Sequence, residues 1–453
     1  MGKLFGTDGM RGTANVFPMT PEMSLRVGKA VAHVFRNCSK GKRSKPKFVI
    51  GKDTRISGYM FENALTAGLV SMGADVVLVG PMPTPAIAHL TKSLNANAGI
   101  VISASHNPAE DNGIKIFSGD GFKLPDDIEE EIEKHLLDKD INAEHIKAEM
   151  IGKATRVNDA RGRYIEFSKN SIGNMSLNKI KVVLDCANGA AYSVAPSIFE
   201  ELGAEVVVLN NTPDGLNINK NCGAMHPEKM QETVKKNKAD IGIALDGDAD
   251  RVIVCDEKGN NVDGDRIIAI SAIDLKEKGK LKNNTVVATV MANKGFEVAM
   301  KERDIKVVST KVGDRYVIEE MRKNNYNLGG EQSGHIIFLD EVTTGDGIIS
   351  GLQILRIMKE TGKSLSELAK CMKTFPQTLI NVDVKKKPEI ETLKNVSVKI
   401  KEIEKKLGET GRLLVRYSGT QNICRVMIEG KNKKEIEKYA KLIANAIKKK
   451  IGV

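Results

Sequence analysis

Ile180-Lys-Val-Val-Leu-Asp185, an amphipathic stretch through Ala195 to Leu202, and Ala204-Glu-Val-Val-Val-Leu209 read in order as strand, helix and strand. The two β-branched runs are too short for helices, and a polar, Gly-bearing turn precedes the amphipathic stretch. The same plan recurs as Lys47-Phe-Val-Ile-Gly51, a helix near Met60–Met72 and Ala74-Asp-Val-Val-Leu-Val79. It recurs again as Thr285-Val-Val-Ala-Thr-Val290, a helix through Gly295–Glu302 and Ile305-Lys-Val-Val-Ser309. A βαβ unit repeated three times at domain-sized intervals predicts three related α/β domains.

After Phe375-Pro376 the pattern changes. Strand-like runs near Leu379–Val384, Leu413–Val415 and Ile423–Ile428, then a Lys-rich helix from Lys433 to Lys450, predict a smaller C-terminal α+β domain. The expected domains are residues 1–155, 156–256, 257–370 and 371–453. With one polar loop in each, four loops can be aimed at one central cleft, a favoured setting for ligands.

The chain has 453 residues, too many for one hydrophobic core. Its net charge of +11 lies wholly in residues 371–453, which hold 20 Lys and Arg against 9 Asp and Glu. Without Trp, with few aromatics for base stacking and with Lys alternating with Glu as on solvated helix faces, this excess argues against nucleic acid and for a compact phosphorylated ligand. The six cysteines are scattered without a CxxC pair, and Met1–Gly6 lacks the apolar core of a signal peptide, so a reducing cytoplasm is expected. No uncharged apolar run approaches the roughly 18 residues of a membrane span.

Several loops carry chemistry. Gly99-Ile-Val-Ile102 stops at Ser103-Ala-Ser105-His106-Asn107-Pro108, which holds the Ser105 hydroxyl outside the sheet; an ordinary Ser/Asn turn is the alternative. In Asp246-Gly-Asp248-Ala-Asp250-Arg251 three carboxylates alternate at the end of an apolar strand, a spacing that places them on one side. A divalent cation is their simplest occupant, and an oxygen-only set suits magnesium. Calcium is the rival, since Asp246, Asp248, Asp250 and Glu257 match four EF-hand positions, but Arg251 stands where that loop needs glycine. Gly329-Gly-Glu331-Gln-Ser333-Gly-His335 suits a polyhydroxylated ligand or a simple turn. Arg416-Tyr-Ser418-Gly419-Thr420, followed by Arg425, offers a phosphate cradle or a solvated turn, and no Walker loop occurs. Arg11, in Phe5-Gly-Thr-Asp-Gly-Met-Arg-Gly12, and Gly51-Lys-Asp-Thr-Arg55 add further positions. Lys115 is a candidate acid/base or an ordinary surface lysine.

Taken together and in this order, the motifs at Phe5–Gly12, Ser103–Pro108, Asp246–Arg251, Gly330–His335 and Arg416–Thr420 resemble the α-D-phosphohexomutases over essentially the whole chain. Arg161–Ile165, Val312–Val317 and Thr343–Gly347 look most like the branch that handles amino sugars. The resemblance implies interconversion of glucosamine 6-phosphate and glucosamine 1-phosphate, toward UDP-N-acetylglucosamine. Ser105 would be the phosphorylated nucleophile, with Asp246, Asp248 and Asp250 joining its phosphate on magnesium. His106 and Arg251 would steady the site, and Lys115 or a neighbour would move the proton. Glu331, Ser333 and His335 would bind the sugar, and Arg416, Ser418, Gly419, Thr420 and Arg425 the distal phosphate. A sugar 1,6-bisphosphate would be intermediate and activator.

A glucose or mannose phosphate mutase of the same family is the neighbouring alternative, and a non-catalytic binder of phosphorylated ligands or RNA the remoter one. A homodimer and an activating kinase stay open as partners. Tyr417, Gln421 and Asn422 depart from the family's usual Pro or Lys, Glu and Pro, as do Ala249 from Gly and Ser103 from Thr.

Overall fold

The β-branched runs become buried strands in the computed structural model, which describes residues 4–6, 8–38, 45–137, 146–418 and 422–453. The first sheet contains β1 (Met10–Thr13), β2 (Lys47–Lys52), β3 (Asp75–Pro81), β4 (Ala98–Ile102), β5 (Asp111–Ser118) and β6 (Ala154–Arg156), in the order β1-β5-β4-β2-β3-β6. The second holds β7 (Lys181–Asp185), β8 (Glu205–Leu209), β9 (Ile241–Leu245), β10 (Val252–Asp256) and β11 (Asn261–Val262), in the order β11-β10-β9-β7-β8. The third holds β12 (Thr285–Thr289), β13 (Lys306–Thr310), β14 (Leu328–Gly330) and β15 (Ile336–Phe338), in the order β13-β12-β14-β15.

One plan underlies all three. The first strand of each βαβ unit lies between the second and a third, parallel strand, and a fourth strand turns back antiparallel on the third: β4 to β5, β9 to β10, β14 to β15. The central strands β4, β9 and β12 are buried at every residue, as expected of strands covered on both faces. The turn between third and fourth strand carries the Ser105, Asp246–Asp250 and Glu331–His335 motifs respectively. Three sequence-distant motifs therefore occupy equivalent places in a triplicated fold.

The last sheet is antiparallel, with β16 (Gln377–Asp383), β17 (Gly411–Tyr417) and β18 (Ile423–Gly430) in the order β16-β18-β17. Helices Lys394–Leu407 and Lys433–Ile451 bury Val396, Ile403, Ile436, Ile443 and Ile447 with Val426 and Ile428 of β18. The packing separates into two compact units, residues 1–290 with 308–369, and residues 291–307 with 370–453. The crossover helix Lys294–Lys301 of the third βαβ thus belongs with the C-terminal sheet. Its N-cap Asn293 accepts from Gly295 N (2.9 Å) and from Phe375 N (2.8 Å), and donates to the Phe375 carbonyl (3.1 Å). Among the described residues no helix is long and apolar enough to cross a membrane.

Candidate active site

Ser105 follows β4 at φ +52°, a left-handed conformation that a serine keeps only when its surroundings hold it there. Arg55 does much of the holding. Its buried guanidinium donates to the carbonyls of Ser105 (2.9 Å), Asn107 (2.8 Å), Asp111 (3.0 Å) and Pro108, and through Nε to Asp53 Oδ2 (2.8 Å). Asp53 accepts from Ser103 Oγ (2.6 Å), which in turn accepts the Ser105 N–H (2.9 Å). Asn219 Nδ2 adds bonds to the Ser105 and Asn107 carbonyls (2.9 and 3.1 Å). So fixed, the Ser105 hydroxyl donates to Asp246 Oδ2 at 2.6 Å, with His106 Nδ1 at 3.4 Å.

The three aspartates meet for a different reason from the alternation expected. β9 ends at Leu245, and a turn with Ala249 at φ +56° brings the carboxylates together, one oxygen of each within 4.8 Å of the others. Gly247 lets this turn lie against the serine loop: a Cβ there would sit 2.5 Å from the Ser105 carbonyl oxygen. Asp248 Oδ2 accepts from Thr84 Oγ (2.6 Å) and Lys115 Nζ (2.9 Å). Asp248 Oδ1 and Asp250 Oδ1 are buried and have no hydrogen-bond partner.

Buried carboxylate oxygens left bare beside a third carboxylate fit a hard divalent cation, and Lys115 occupies a different oxygen of Asp248. The calcium-loop rival fails on the flanks, because β9 and β10 replace the two helices an EF-hand requires and Glu257 is bonded to Ser366 Oγ (2.5 Å).

Lys115 is no surface lysine: its side chain is 2 % exposed. Burial works against its charge, but the Asp248, Asp8 and Asp250 carboxylates outweigh this and hold it an ammonium, above its ordinary pKa. Burial and the repulsion of Asp250 and Asp248 push Asp246 well above the carboxylate range. Burial would raise Asp250 too, yet Lys115, His335 and Arg251 hold it well below. Burial, with Arg251 and Arg11 beside it, lowers His106. Arg11 pairs with Asp8, while the Arg251 N–H donates to Asp246 Oδ1 (3.1 Å) and its Nε lies 3.9 Å from Asp250 Oδ1.

On the loop after β14, Glu331 Oε1 accepts the Gly313 N–H (3.1 Å) and Ser333 stays exposed. His335 departs from the expected sugar contact. It is buried, with Nδ1 3.8 Å from Asp250 Oδ2, Nε2 3.5 Å from Asp314 Oδ2, and the Gly345 N–H donating to Nε2 (3.1 Å). Burial disfavours the imidazolium and Asp250 favours it, raising the pKa overall. The Gly345 donor nonetheless needs a bare Nε2, which puts the proton of this arrangement on Nδ1. Protein groups therefore take up both nitrogens, whereas Glu331 is half-buried and Ser333 exposed.

In the C-terminal unit, Arg416 on β17 and Arg425 on β18 are direct cross-strand partners, and Arg425 Nε is buried without a hydrogen-bond partner. Like charges placed opposite one another repel, so the pair suits an anion between the guanidinium groups. Ser418 adjoins them, its N–H donating to the Ile423 carbonyl (2.9 Å), whereas Gly419 and Thr420 lie outside the described residues. Thr84 and Asn219 were not legible as site residues, and of the segments holding Asp8, Asp53 and Arg55 only their nearness to the site was; a GlyLysAspThrArg string says nothing of four backbone carbonyls converging on its arginine.

A serine-bearing turn and a carboxylate turn meet from equivalent places of repeated α/β sheets, the arrangement a phosphohexomutase requires. The chain belongs to the phosphoglucomutase/phosphomannomutase family: its α/β/α domains I, II and III match residues 2–143, 162–259 and 263–375, and its C-terminal domain residues 379–446. Phosphoglucosamine mutase of Pelobacter propionicus is 57 % identical over 453 residues, covering all of this chain and 99 % of the relative. That of Syntrophus aciditrophicus is also 57 % identical, over the full length of both. A phosphoglucomutase/phosphomannomutase family protein from Burkholderia thailandensis shares the fold, with a TM-score of 0.80 at 23 % identity over 99 % of each chain.

Proposed function

We propose that this chain interconverts glucosamine 6-phosphate and glucosamine 1-phosphate, in keeping with the name phosphoglucosamine mutase that its full-length relatives carry, with Ser105 as the phosphoryl carrier. The observation that carries the reading is the Ser105 hydroxyl held 2.6 Å from Asp246 beside the bare oxygens of Asp248 and Asp250. A binder has no use for a restrained nucleophile next to a cation site. Asp246, Asp248, Asp250 and the Ser105 phosphate would hold magnesium, which when bound spreads the charge of the transferred group.

In the forward direction the bond from phosphorus to Ser105 Oγ breaks as one forms to the free sugar hydroxyl, whose proton leaves to a nearby base while Ser105 Oγ takes up a proton in its place. The sugar 1,6-bisphosphate turns around. Its other phosphoryl group then passes to Ser105, whose proton has Asp246 to move onto. Lys115, held as an ammonium, is set to return a proton to the sugar oxygen that loses phosphate. Arg11, His106 and Arg251 surround the transferred charge, Glu331 and Ser333 engage sugar hydroxyls, and Arg416, Ser418 and Arg425, with Gly419 and Thr420, grip the distal phosphate. The domain limits near residues 155, 256 and 370 are supported by the ranges matched in the family. Cytoplasmic residence is supported by the free thiols of Cys186, Cys222, Cys255 and Cys424, all buried.

A coupled assay offering glucosamine 6-phosphate, glucose 6-phosphate and mannose 6-phosphate side by side tests the reading. At least tenfold higher kcat/KM on glucosamine 6-phosphate is expected. A preference for either other sugar moves the chain to the neighbouring activity of the family.

A further inference from the structure

Around Asp250, charged groups from all three repeats close into a ring. Lys115 Nζ lies 3.5 Å from Asp8 Oδ2, and Asp8 Oδ1 lies 2.5 Å from Lys123 Nζ. Lys123 reaches Asp314 Oδ2 at 2.6 Å, and Asp314 faces His335 Nε2 at 3.5 Å. His335 Nδ1 stands 3.8 Å from Asp250 Oδ2, which returns to Lys115 at 3.5 Å. Lys115 and Asp8 belong to the first sheet region, Asp314 and His335 to the third, and Asp250 to the second. The Lys123 side chain is 11 % exposed, and its ion pairs run to Asp8 and Asp314.

We propose that Lys123 is a positioning residue for the phosphoryl transfer assigned above, fixing Asp8 and Asp314 so that Lys115 and His335 are held in place on either side of Asp250. The inference rests on that assignment for its reaction, but its geometry is independent of which sugar is used. Asp8 now divides itself among Lys123, Arg11 and Lys115, with Lys115 the distant partner. Freed from Lys123, its carboxylate would draw Lys115 away from Asp248, now at 2.9 Å. A freed Asp314, 3.5 Å from the bare His335 Nε2, would face it with an uncompensated carboxylate and push the imidazole ring from its place beside Asp250. Buried ion networks contribute little net stability, so a role in geometry accounts for this one better than a role in stability. Displacements of about 1 Å at a reacting centre cost on the order of 100-fold in rate.

Lys123→Met, Asp314→Asn and the double variant decide it, by steady-state kinetics with wild type in parallel. Lys123→Met should lower kcat about 10- to 100-fold with KM for the sugar phosphate within about threefold. The double variant should be no slower than the slower single variant, because both break the same link. A kcat for Lys123→Met within twofold of wild type, a rise in KM alone, or a double-variant loss equal to the product of the single losses would overturn the proposal. If Lys123→Met does not fold, Asp314→Asn must show the same kcat-specific loss or the proposal fails. Should wild type prefer glucose 6-phosphate, the variants are read on that sugar. Failure of the assignment then appears in wild type, and failure of the inference in the variant-to-wild-type ratio.

Discussion

Arg55 shows how far a single side chain can act from the chemistry it serves. One planar guanidinium satisfies four carbonyls of the Ser105 turn at once and neutralises Asp53, whose link through Ser103 reaches the Ser105 N–H. Lysine is a point charge without that fork. Arg55→Lys should therefore lower unfolding free energy by about 2–4 kcal/mol, through carbonyls left buried and unpaired. It should also reduce kcat at least tenfold, because Ser105 loses the restraint that keeps it at positive φ. Urea unfolding together with steady-state kinetics checks both; wild-type values for stability and kcat would show that the turn holds itself. The strand break before Ser105 was legible as a local pattern, which by itself fits an ordinary turn, and the combination of motifs along the chain is what singled out its hydroxyl. The role of Arg55 was not legible, because its meaning lies in carbonyls about 50 positions further along the chain.

At the scale of elements, helix Gly347–Thr361 starts on Asp346, which accepts the Ile348 and Ile349 N–H groups and the Tyr164 hydroxyl (2.8 Å). Burial nevertheless outweighs these bonds and pushes its pKa up to about 6. A carboxyl raised in the folded state binds its proton more tightly there than in the unfolded chain. Its contribution to stability is thus fully present below about pH 4 and is lost as pH rises through 6, at most about 3 kcal/mol in all. Asp346→Asn keeps a good N-cap without the titration. Denaturant unfolding from pH 4 to 7 should show a shallower decline in the variant, and an unchanged slope would assign the pH dependence elsewhere.

The antiparallel pair β17 and β18 makes the second element-level case. Setting Arg416 opposite Arg425 costs stability unless an anion is shared. Arg416→Lys loses bidentate geometry, so KM for the sugar phosphate should rise about tenfold while phosphorylation of Ser105 by a sugar bisphosphate, read by intact mass, persists. An unchanged KM would place the distal phosphate elsewhere. The strands themselves were legible from β-branched runs. The left-handed turn at Ala249, rather than strand alternation, is what joins the three aspartates.

For the whole molecule, packing partners cut across the order of the chain. Asn293 caps the third crossover helix and pins the Phe375 backbone, while Glu429 accepts the Lys294 N–H (3.2 Å) and Arg412 Nη2 (2.8 Å). Asn293→Ala removes a cap and leaves buried backbone groups at Phe375 unpaired, so the unit formed by 291–307 and 370–453 should lose about 2 kcal/mol or more. Calorimetry should show a lowered transition for that unit, and an unshifted profile would mean that the helix is held by apolar contacts alone. The sequence by itself determined the three βαβ repeats, the distinct C-terminal domain and the motifs that carry the chemistry, because periodicity and turn residues act over a few neighbouring positions. Only the tertiary structure decided that the three motif turns occupy equivalent places in the repeats, that Lys115 and His335 are buried among carboxylates, and that the third crossover helix packs with the last sheet. Those outcomes depend on burial and contacts between groups distant in the chain, such as Lys115 and Asp248, His335 and Asp250, or Asn293 and Phe375, which no local pattern encodes.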